Sequence, residues 1–255
     1  MLALITGASS GIGRDMSRYL CKKGYDTILV ARDESKLKEL KQELTKNEDV
    51  KVETKTVDLS NTGECKELYR QIKEEHGNID LLINNAGFGL FGEFTDTDLN
   101  KEIDMIDTNV KAVHILMKLF LNDMVKNNSG KILNVASIAG FMPGPLMATY
   151  YATKNYIVRL SEAVREELKK ANSKVTISIL CPGPVNTNFN KVADVKFNLK
   201  GLSSEHVAKY AIDKTLKGKF FIVPGVSIKA ARIFSKITPD KLLAKICYHM
   251  QEKKR

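Results

Sequence analysis

The sequence predicts an α/β fold, a single doubly wound parallel sheet with helices on both faces. Three observations predict it. Short apolar, β-branched runs alternate with longer segments of helical period. Several of those runs are apolar on successive residues, as strands buried on both faces must be. The 255 residues hold no internal repeat, low-complexity stretch or linker, which suits one domain.

The elements follow in order. A strand over 2–6 runs into a glycine turn and a helix over 13–23. A strand over 27–31 precedes a helix over 35–46, where Leu37, Leu40 and Leu44 recur at spacings of three and four. The strand over 51–57 leads to a helix over 61–76 carrying Cys65, Leu68, Tyr69 and Ile72. Strands over 79–83 and 130–136 bracket a helix over 107–125. A helix over 149–170 then connects to strands over 175–181 and 220–223. Strict strand–helix alternation builds such a sheet through right-handed crossovers.

Composition narrows the class. Hydrophobic residues at 43% and charged residues at 27% exclude a disordered or collagen-like chain. No apolar run reaches the ~18 residues that a transmembrane helix needs. The first residues lack a basic leader and a cleavage site, so no signal peptide is expected. Cys21, Cys65, Cys181 and Cys247 form no CxxC pair. Neither a metal site nor a disulfide framework is expected, and reduced thiols in the cytoplasm are. Forty Lys and Arg stand against thirty Asp and Glu, a net +10. Residues 228–255 hold eight basic and two acidic side chains, so +6 of that charge sits on the tail. A basic tail on a nearly balanced body does not describe a nucleic-acid binder, and no nucleic-acid partner is expected.

Residues 6–13 read Thr-Gly-Ala-Ser-Ser-Gly-Ile-Gly between the first strand and the first helix. Gly7, Gly11 and Gly13 remove Cβ atoms where the chain turns tightly and a pyrophosphate must come close. The following helix offers free N–H groups and its positive dipole end. Dinucleotide binding is expected on this feature; the bland alternative is an ordinary strand–helix connection. Specificity for the ribose 2′ position is read at the end of the second strand, Ala31-Arg32-Asp33. An acid there accepts from the ribose hydroxyls of NAD, whereas an arginine accommodates the 2′-phosphate of NADP. Both types stand adjacent, and Asp33 also reads as a helix N-cap.

At the other end, Ser137 follows the fifth strand, Tyr150 comes thirteen residues later, and Lys154 four beyond that. Tyr150 and Lys154 share one helix face. A lysine beside a phenol favours phenolate and lowers its pKa, which suits a proton donor near neutral pH. The Ser137 hydroxyl, at the carboxyl end of a strand where open α/β sheets bind ligands, is placed to polarise a carbonyl. Each residue alone is commonplace.

Taken together, the segment 6–13 (TGxxxGxG), Asn84-Asn85-Ala86-Gly87, Asn109 in a helix, Ser137, Tyr150 with Lys154, and Pro182-Gly183-Pro184-Val185-Asn186-Thr187 resemble the classical short-chain dehydrogenases/reductases over about residues 1–225. The resemblance implies a Rossmann-type sheet and hydride transfer between a nicotinamide and a ketone or secondary alcohol. It implies that Tyr150 is the general acid/base, that Lys154 lowers its pKa and holds the nicotinamide ribose, that Ser137 binds the reacting oxygen, and that Asn109 anchors a water in a proton relay. Gly7, Ser9, Ser10, Gly11, Ile12, Gly13, Arg32, Asp58, Leu59, Asn84, Ala86, Gly87, Tyr150, Lys154, Pro182, Gly183, Val185 and Thr187 would bind the cofactor. Asp58 would touch adenine and Thr187 the carboxamide. Family members with an arginine at the place of Arg32, and no acid at that of Ala31, mostly use NADP(H). NADP(H) is therefore expected over NAD. Tyr151 adjoins Tyr150, but only Tyr150 has both spacings. A nucleotide-binding regulator of the same fold without turnover is the alternative.

Three segments converge on the substrate in this family: Phe88, Leu90, Phe91 and Phe94; residues 138–147; and a lid near 186–205 with Val192, Val195, Phe197 and Leu199 beside Lys191 and Lys196. Their apolar character favours a greasy ketone or alcohol over a carboxylate. Residues 1–227 are read as the catalytic domain and 228–255 as a basic amphipathic helical extension broken near Thr238-Pro239. Leu242, Ile246 and Met250 recur every four residues beside Lys241 and Lys245. Two readings of the tail stay open: an interfacial helix on anionic lipid at the inner face of a membrane, or a helix packed on the body or on another subunit. A homo-oligomer, dimer or tetramer, is expected.

Overall fold

The protein is described from a computed structural model covering residues 1–187, 189 and 201–252. Its centre is a seven-stranded parallel sheet. The strands are β1 (Leu2–Thr6), β2 (Asp26–Ala31), β3 (Val52–Thr56), β4 (Leu81–Asn84), β5 (Lys131–Val135), β6 (Thr176–Leu180) and, after a short pair β7 (Val185–Asn186) and β8 (Leu202–Ser203), the edge strand β9 (Phe221–Ile222). The spatial order is β3-β2-β1-β4-β5-β6-β9. Strand order reverses between β1 and β4, and that switch point is where open α/β sheets take ligands. All seven sheet strands fall on the runs read from the sequence.

Side-chain alternation explains the two layers. Ala3, Ile5 and Leu29 enter one core with Met16, Leu20, Leu37, Leu40, Val207 and Ile212. Leu4, Ile28 and Val30 enter the other with Leu68, Ile72, Phe120, Ile132 and Ile177. The first layer comprises α1 (Gly11–Lys22), α2 (Glu34–Asn47) and, by chain order the seventh helix, α7 (Ser204–Leu216). The second comprises α3 (Thr62–His76), α5 (Val113–Lys126) and α6 (Ala148–Lys170), with the short α4 (Leu99–Ile106) ahead of α5. Caps start the helices: Asp33 accepts from the Lys36 N–H, Asn61 from Gly63 and Glu64, Asp98 from Lys101, and Ser203 from His206. The start of α1 is different, since Ser10 makes no side-chain cap bond there.

Two helices went unread in the sequence. The single helix expected over 107–125 begins earlier, as α4, and passes through a π-helical segment, Asp107–Ala112, before α5. An inserted π turn breaks the 3.6-residue repeat, so the apolar pattern of α4 does not run in phase with that of α5. The helix α7 follows the stretch taken for a lid. Val192, Val195, Phe197, Leu199, Lys191 and Lys196 lie outside the described residues.

The chain then forms α8 (Val226–Ile237) and α9 (Asp240–Glu252), parted at Thr238-Pro239. Both pack on the body by one side. Ile228 sits over Gly183, and the Arg232 guanidinium lies 3.6 Å from the centroid of Phe221. Leu243, Cys247 and Gln251 are buried, and the Gln251 amide donates to the Tyr151 hydroxyl. Val226, Ile233, Phe234, Ile237, Leu242 and Met250 are exposed. All four cysteines are buried and none is in a disulfide.

One polar chain crosses the sheet centre. The Asn84 amide donates to Asn134 Oδ1 at 2.9 Å, and the Asn134 amide donates to the Ser161 hydroxyl at 2.9 Å. It joins β4, β5 and α6 through three fully or nearly buried groups. Asn134→Ala removes the partner of two buried polar groups, whose desolvation is then uncompensated. A loss of about 2–4 kcal/mol is expected in urea unfolding, larger than a lone hydrogen bond is worth.

Candidate active site

The nucleotide end is built at the carboxyl ends of β1 and β4. Thr6 Oγ1 accepts the N–H groups of Asn85 and Ala86 at 2.9 and 3.0 Å. The Asn85 amide donates to the carbonyls of Thr6 and Gly7 at 2.9 and 3.2 Å. These bonds clamp the glycine turn to the Asn84–Gly87 segment. At Gly13 a Cβ would lie 2.4 Å from the Gly7 carbonyl oxygen and from the Asn85 amide nitrogen, so only glycine fits. The turn stays tight, Ser9 and Ser10 lie on it, and α1 presents N-terminal amides that Ser10 does not cap. The Thr187 methyl faces Gly11 across the cleft. A tight glycine cradle under an uncapped helix end fits a dinucleotide pyrophosphate. Asn85 was in the motif but not among the expected site residues; nothing in a doublet of asparagines says which one holds the turn.

Other expected cofactor residues are placed as follows. Asn84 and Leu59 are buried, the first bonded through its amide nitrogen to Asn134 and the second in the core. Asp58 Oδ1 accepts from the Ser60 N–H and hydroxyl at 3.0 and 2.9 Å, closing the turn after β3. Ile12 packs on the core from α1. The Pro182 carbonyl accepts the Ile138 N–H at 2.9 Å, tying the Pro182–Thr187 segment to the segment after Ser137, and Val185 pairs with Leu202. Arg32 is exposed just past β2. Asp33 is spent on its cap and on Lys36, 2.5 Å away, and that lysine holds its carboxyl below the usual range.

The catalytic end is assembled from four segments. Asn109, from the π-helical turn, is fully buried. Its Oδ1 accepts the Phe88 N–H at 3.1 Å, while its amide donates to the Phe88 carbonyl at 2.9 Å and to Thr153 Oγ1 at 3.1 Å. Thr153 in turn donates to the Tyr150 carbonyl at 2.7 Å. A Cβ on Gly87 would stand 2.7 Å from Asn109 Oδ1 and 3.4 Å from Lys154 Nζ, so Gly87 lets these groups crowd together. Ser137 ends β5 and accepts the Ala139 N–H at 3.2 Å, capping the short 3₁₀ turn Ile138–Phe141. The structure thus gathers Asn109, Ser137, Tyr150 and Lys154 at the strand ends.

Burial dominates the electrostatics of the pair. Burial pushes the Tyr150 hydroxyl up to about 12, with hydrogen bonding to Ser137 pulling the other way. The Lys154 ammonium donates to the Val135 carbonyl at 3.0 Å and lies 5.8 Å from the Tyr150 ring centroid. Burial pulls Lys154 down to about 8. Helical spacing puts the two on one face, and desolvation is the largest influence on each.

An apolar wall closes the site. Phe88, Leu90, Phe91, Tyr151 and Phe189 surround Met105, Ala139, Met147 and Tyr150. The Phe189 ring is 5.4 Å from that of Tyr150. Phe94, expected in this wall, is 68% exposed and takes no part.

A family profile described as short chain dehydrogenase matches residues 1–196. An uncharacterized oxidoreductase of Staphylococcus saprophyticus is 35% identical over 211 residues, 83% of this chain and 89% of that protein. Two solved structures are similar over the whole fold. One is a short-chain dehydrogenase from Sphingobium yanoikuyae in complex with NADPH, with TM-score 0.83, 27% identity, and 93% and 96% of the two chains covered. The other is a short-chain dehydrogenase/reductase from Burkholderia phymatum in complex with NAD, with TM-score 0.83, 26% identity, and 91% of each chain covered.

The buried lysine has a measurable signature. Its folded-state pKa, about 8, is below its ordinary value of 10.5, so the unfolded chain binds more protons between those pH values. Stability therefore rises with pH from about 8 to 10.5, the sign set by proton linkage. Without nucleotide, wild type is expected to gain up to about 3 kcal/mol across that window relative to Lys154→Met, at 1.36 kcal/mol per pKa unit. Denaturant midpoints of both proteins at the two ends of the window measure it.

Proposed function

The chain belongs to the short-chain dehydrogenase/reductase family, and from that premise we propose that it is an NADP(H)-dependent enzyme interconverting an apolar ketone and its secondary alcohol. The observation that carries this reading is the convergence of Ser137, Tyr150 and Lys154 beside an apolar wall. A nicotinamide dinucleotide held on the Gly7–Gly13 turn and beside Thr187 would supply the hydride for the carbonyl carbon or accept one from the carbinol carbon. Tyr150, protonated at neutral pH as any phenol is, gives its proton to the carbonyl oxygen as negative charge develops there. The Ser137 hydroxyl donates to the same oxygen. Lys154 and Asn109 lie behind Tyr150 on the path by which the phenol is reprotonated. In the oxidative direction the same groups act in reverse.

The cofactor preference rests on Arg32. It is exposed past the carboxyl end of β2, no acid occupies the place of Ala31, and Asp33 is committed to Lys36 and its helix cap. Arg32 is thereby left to pair with a 2′-phosphate through charge-assisted bonds. The substrate class rests on Phe88, Leu90, Phe91, Met147 and Phe189, which offer no charge to a polar substrate.

A panel of ketones and alcohols with NADPH or NADP⁺, read at the nicotinamide absorbance, tests the reading. Tyr150→Phe is expected to cut turnover by about 10²–10⁴-fold and to leave nucleotide affinity intact. Tyr151→Phe retains turnover. Tight NADPH binding with no turnover on any substrate would instead favour a regulator.

NADPH is expected to bind more tightly than NADH. Arg32→Ala erodes that difference by about 1–3 kcal/mol, the range for charged hydrogen bonds. Titration of both nucleotides against both proteins by fluorescence gives the numbers, and equal wild-type affinities would refute the assignment.

A further inference from the structure

Behind the active site, α7, β9 and α8 enclose a groove of about 350 Å³. Lys214, Lys219, Lys229 and Arg232 line it together with Tyr210 and Phe221, and among the described residues no carboxylate does. Asp213, the acid next to Lys214 on α7, is tied instead to Lys23 and Tyr19. The Arg232 guanidinium is stacked on Phe221, and its buried Nε has no hydrogen-bond partner. Four cations around one apolar-floored groove repel one another, and an anion relieves that repulsion.

A second feature adjoins the groove. On α8, Val226, Ile233 and Ile237 recur at seven and four residues and share a face, with Phe234 beside it. Ile233 is 65% and Ile237 76% exposed. Lys229 and Lys236 flank this row on the side of the groove, whereas Ile228 and Ser235 face the body. On α9, Leu242 and Met250 are exposed in a row four residues apart with Ile246, and Lys241 and Lys245 flank it. The helices thus carry one apolar row inward and a second outward.

We infer that α8, α9 and the cationic groove dock the protein on an anionic phospholipid bilayer, with phosphate headgroups in the groove and the outward apolar row at the acyl boundary. Charge chooses this occupant. A second copy of the chain, paired about a two-fold axis, would set lysine rows against lysine rows, and Asp240 and Glu252 are the only acids on the tail. A nucleic acid leaves the outward isoleucines, leucine and methionine without use. An anionic bilayer matches both the cations and the apolar row. No helix of the described residues is long and apolar enough to cross a membrane, so the contact is with the surface.

The test is sedimentation of the full chain with vesicles of equal parts phosphatidylglycerol and phosphatidylcholine, or of phosphatidylcholine alone, at low and high salt. The protein is expected to pellet with the anionic vesicles at low salt, to be released as salt rises, and to ignore the neutral ones. Removing three groove cations together, Lys214→Ala, Lys219→Ala and Lys229→Ala, is expected to weaken partitioning by about a hundredfold, at about fivefold for each basic residue. Ile233→Glu with Ile237→Glu weakens it while leaving NADPH binding unchanged, which shows that the fold survives. Failure of the wild type to pellet with anionic vesicles overturns the inference. So does pelleting indifferent to either set of substitutions. Wild-type self-association abolished by the isoleucine changes, without vesicle binding, assigns the row to a subunit contact. Saturable binding of inorganic phosphate in the groove, without vesicle binding, assigns the groove to a soluble anion.

Discussion

The site depends on one buried amide. Asn109 has no contact with water, so its donors and acceptor must be met inside the protein. It meets them with both backbone groups of Phe88 and with the Thr153 hydroxyl. That set joins the segment after β4, the helical turn before α5, and helix α6, which carries Tyr150 and Lys154. The π-helical turn places the amide at this junction, since an extra residue in the turn swings it off the regular helical register. Gly87 completes the arrangement by leaving out the Cβ that would collide with it. Once these pieces are joined, Tyr150, Lys154 and the apolar residues around Phe88 have little freedom to move apart.

The same burial sets the charges. A phenol and an ammonium in one dry pocket are both driven toward their neutral forms, and Tyr150 and Lys154 move in opposite directions on the pH scale as a result. The carbonyl of Val135 gives the lysine a partner but not a counter-charge. Among the described residues no carboxylate is paired with Lys154. At neutral pH the phenol is protonated, and a lysine near 8 is still largely a cation there, so burial brings its deprotonation closer to neutrality without removing its charge.

How far the sequence could be read follows from what each feature depends on. The seven sheet strands were legible because a parallel sheet buried on both faces demands uninterrupted apolar runs, as in 79–83 and 130–136. The gathering of Ser137, Tyr150 and Lys154 was legible because strand-end and i,i+4 positions fix direction. Helix α4 was not, because the π turn at Asp107–Ala112 scrambles the periodicity that would have announced it. The pKa direction of Tyr150 was not, because spacing reports proximity and burial reports solvation. The partition of work between Asn84 and Asn85 was not either. The pleat sends one into the sheet and the other to the glycine turn, and a doublet carries no mark of which.

The tail shows a different limit. A row of apolar side chains every three or four residues reads the same whether a helix lies on its own body or on something else. The two readings of residues 228–255 could not be separated from periodicity for that reason. The structure shows two rows, one that meets the body and one that stays exposed. Leu243 and Cys247 on α9, and Ile228 on α8, meet the body, and the neighbouring row of Ile233, Ile237, Leu242 and Met250 does not. A helix that needed only to cover the core would have polar residues on that second row, because exposed Ile, Leu and Met gain nothing from water. Packing on the body therefore answers for one row alone, and the uncompensated lysines beside the other define the chemistry of whatever meets it.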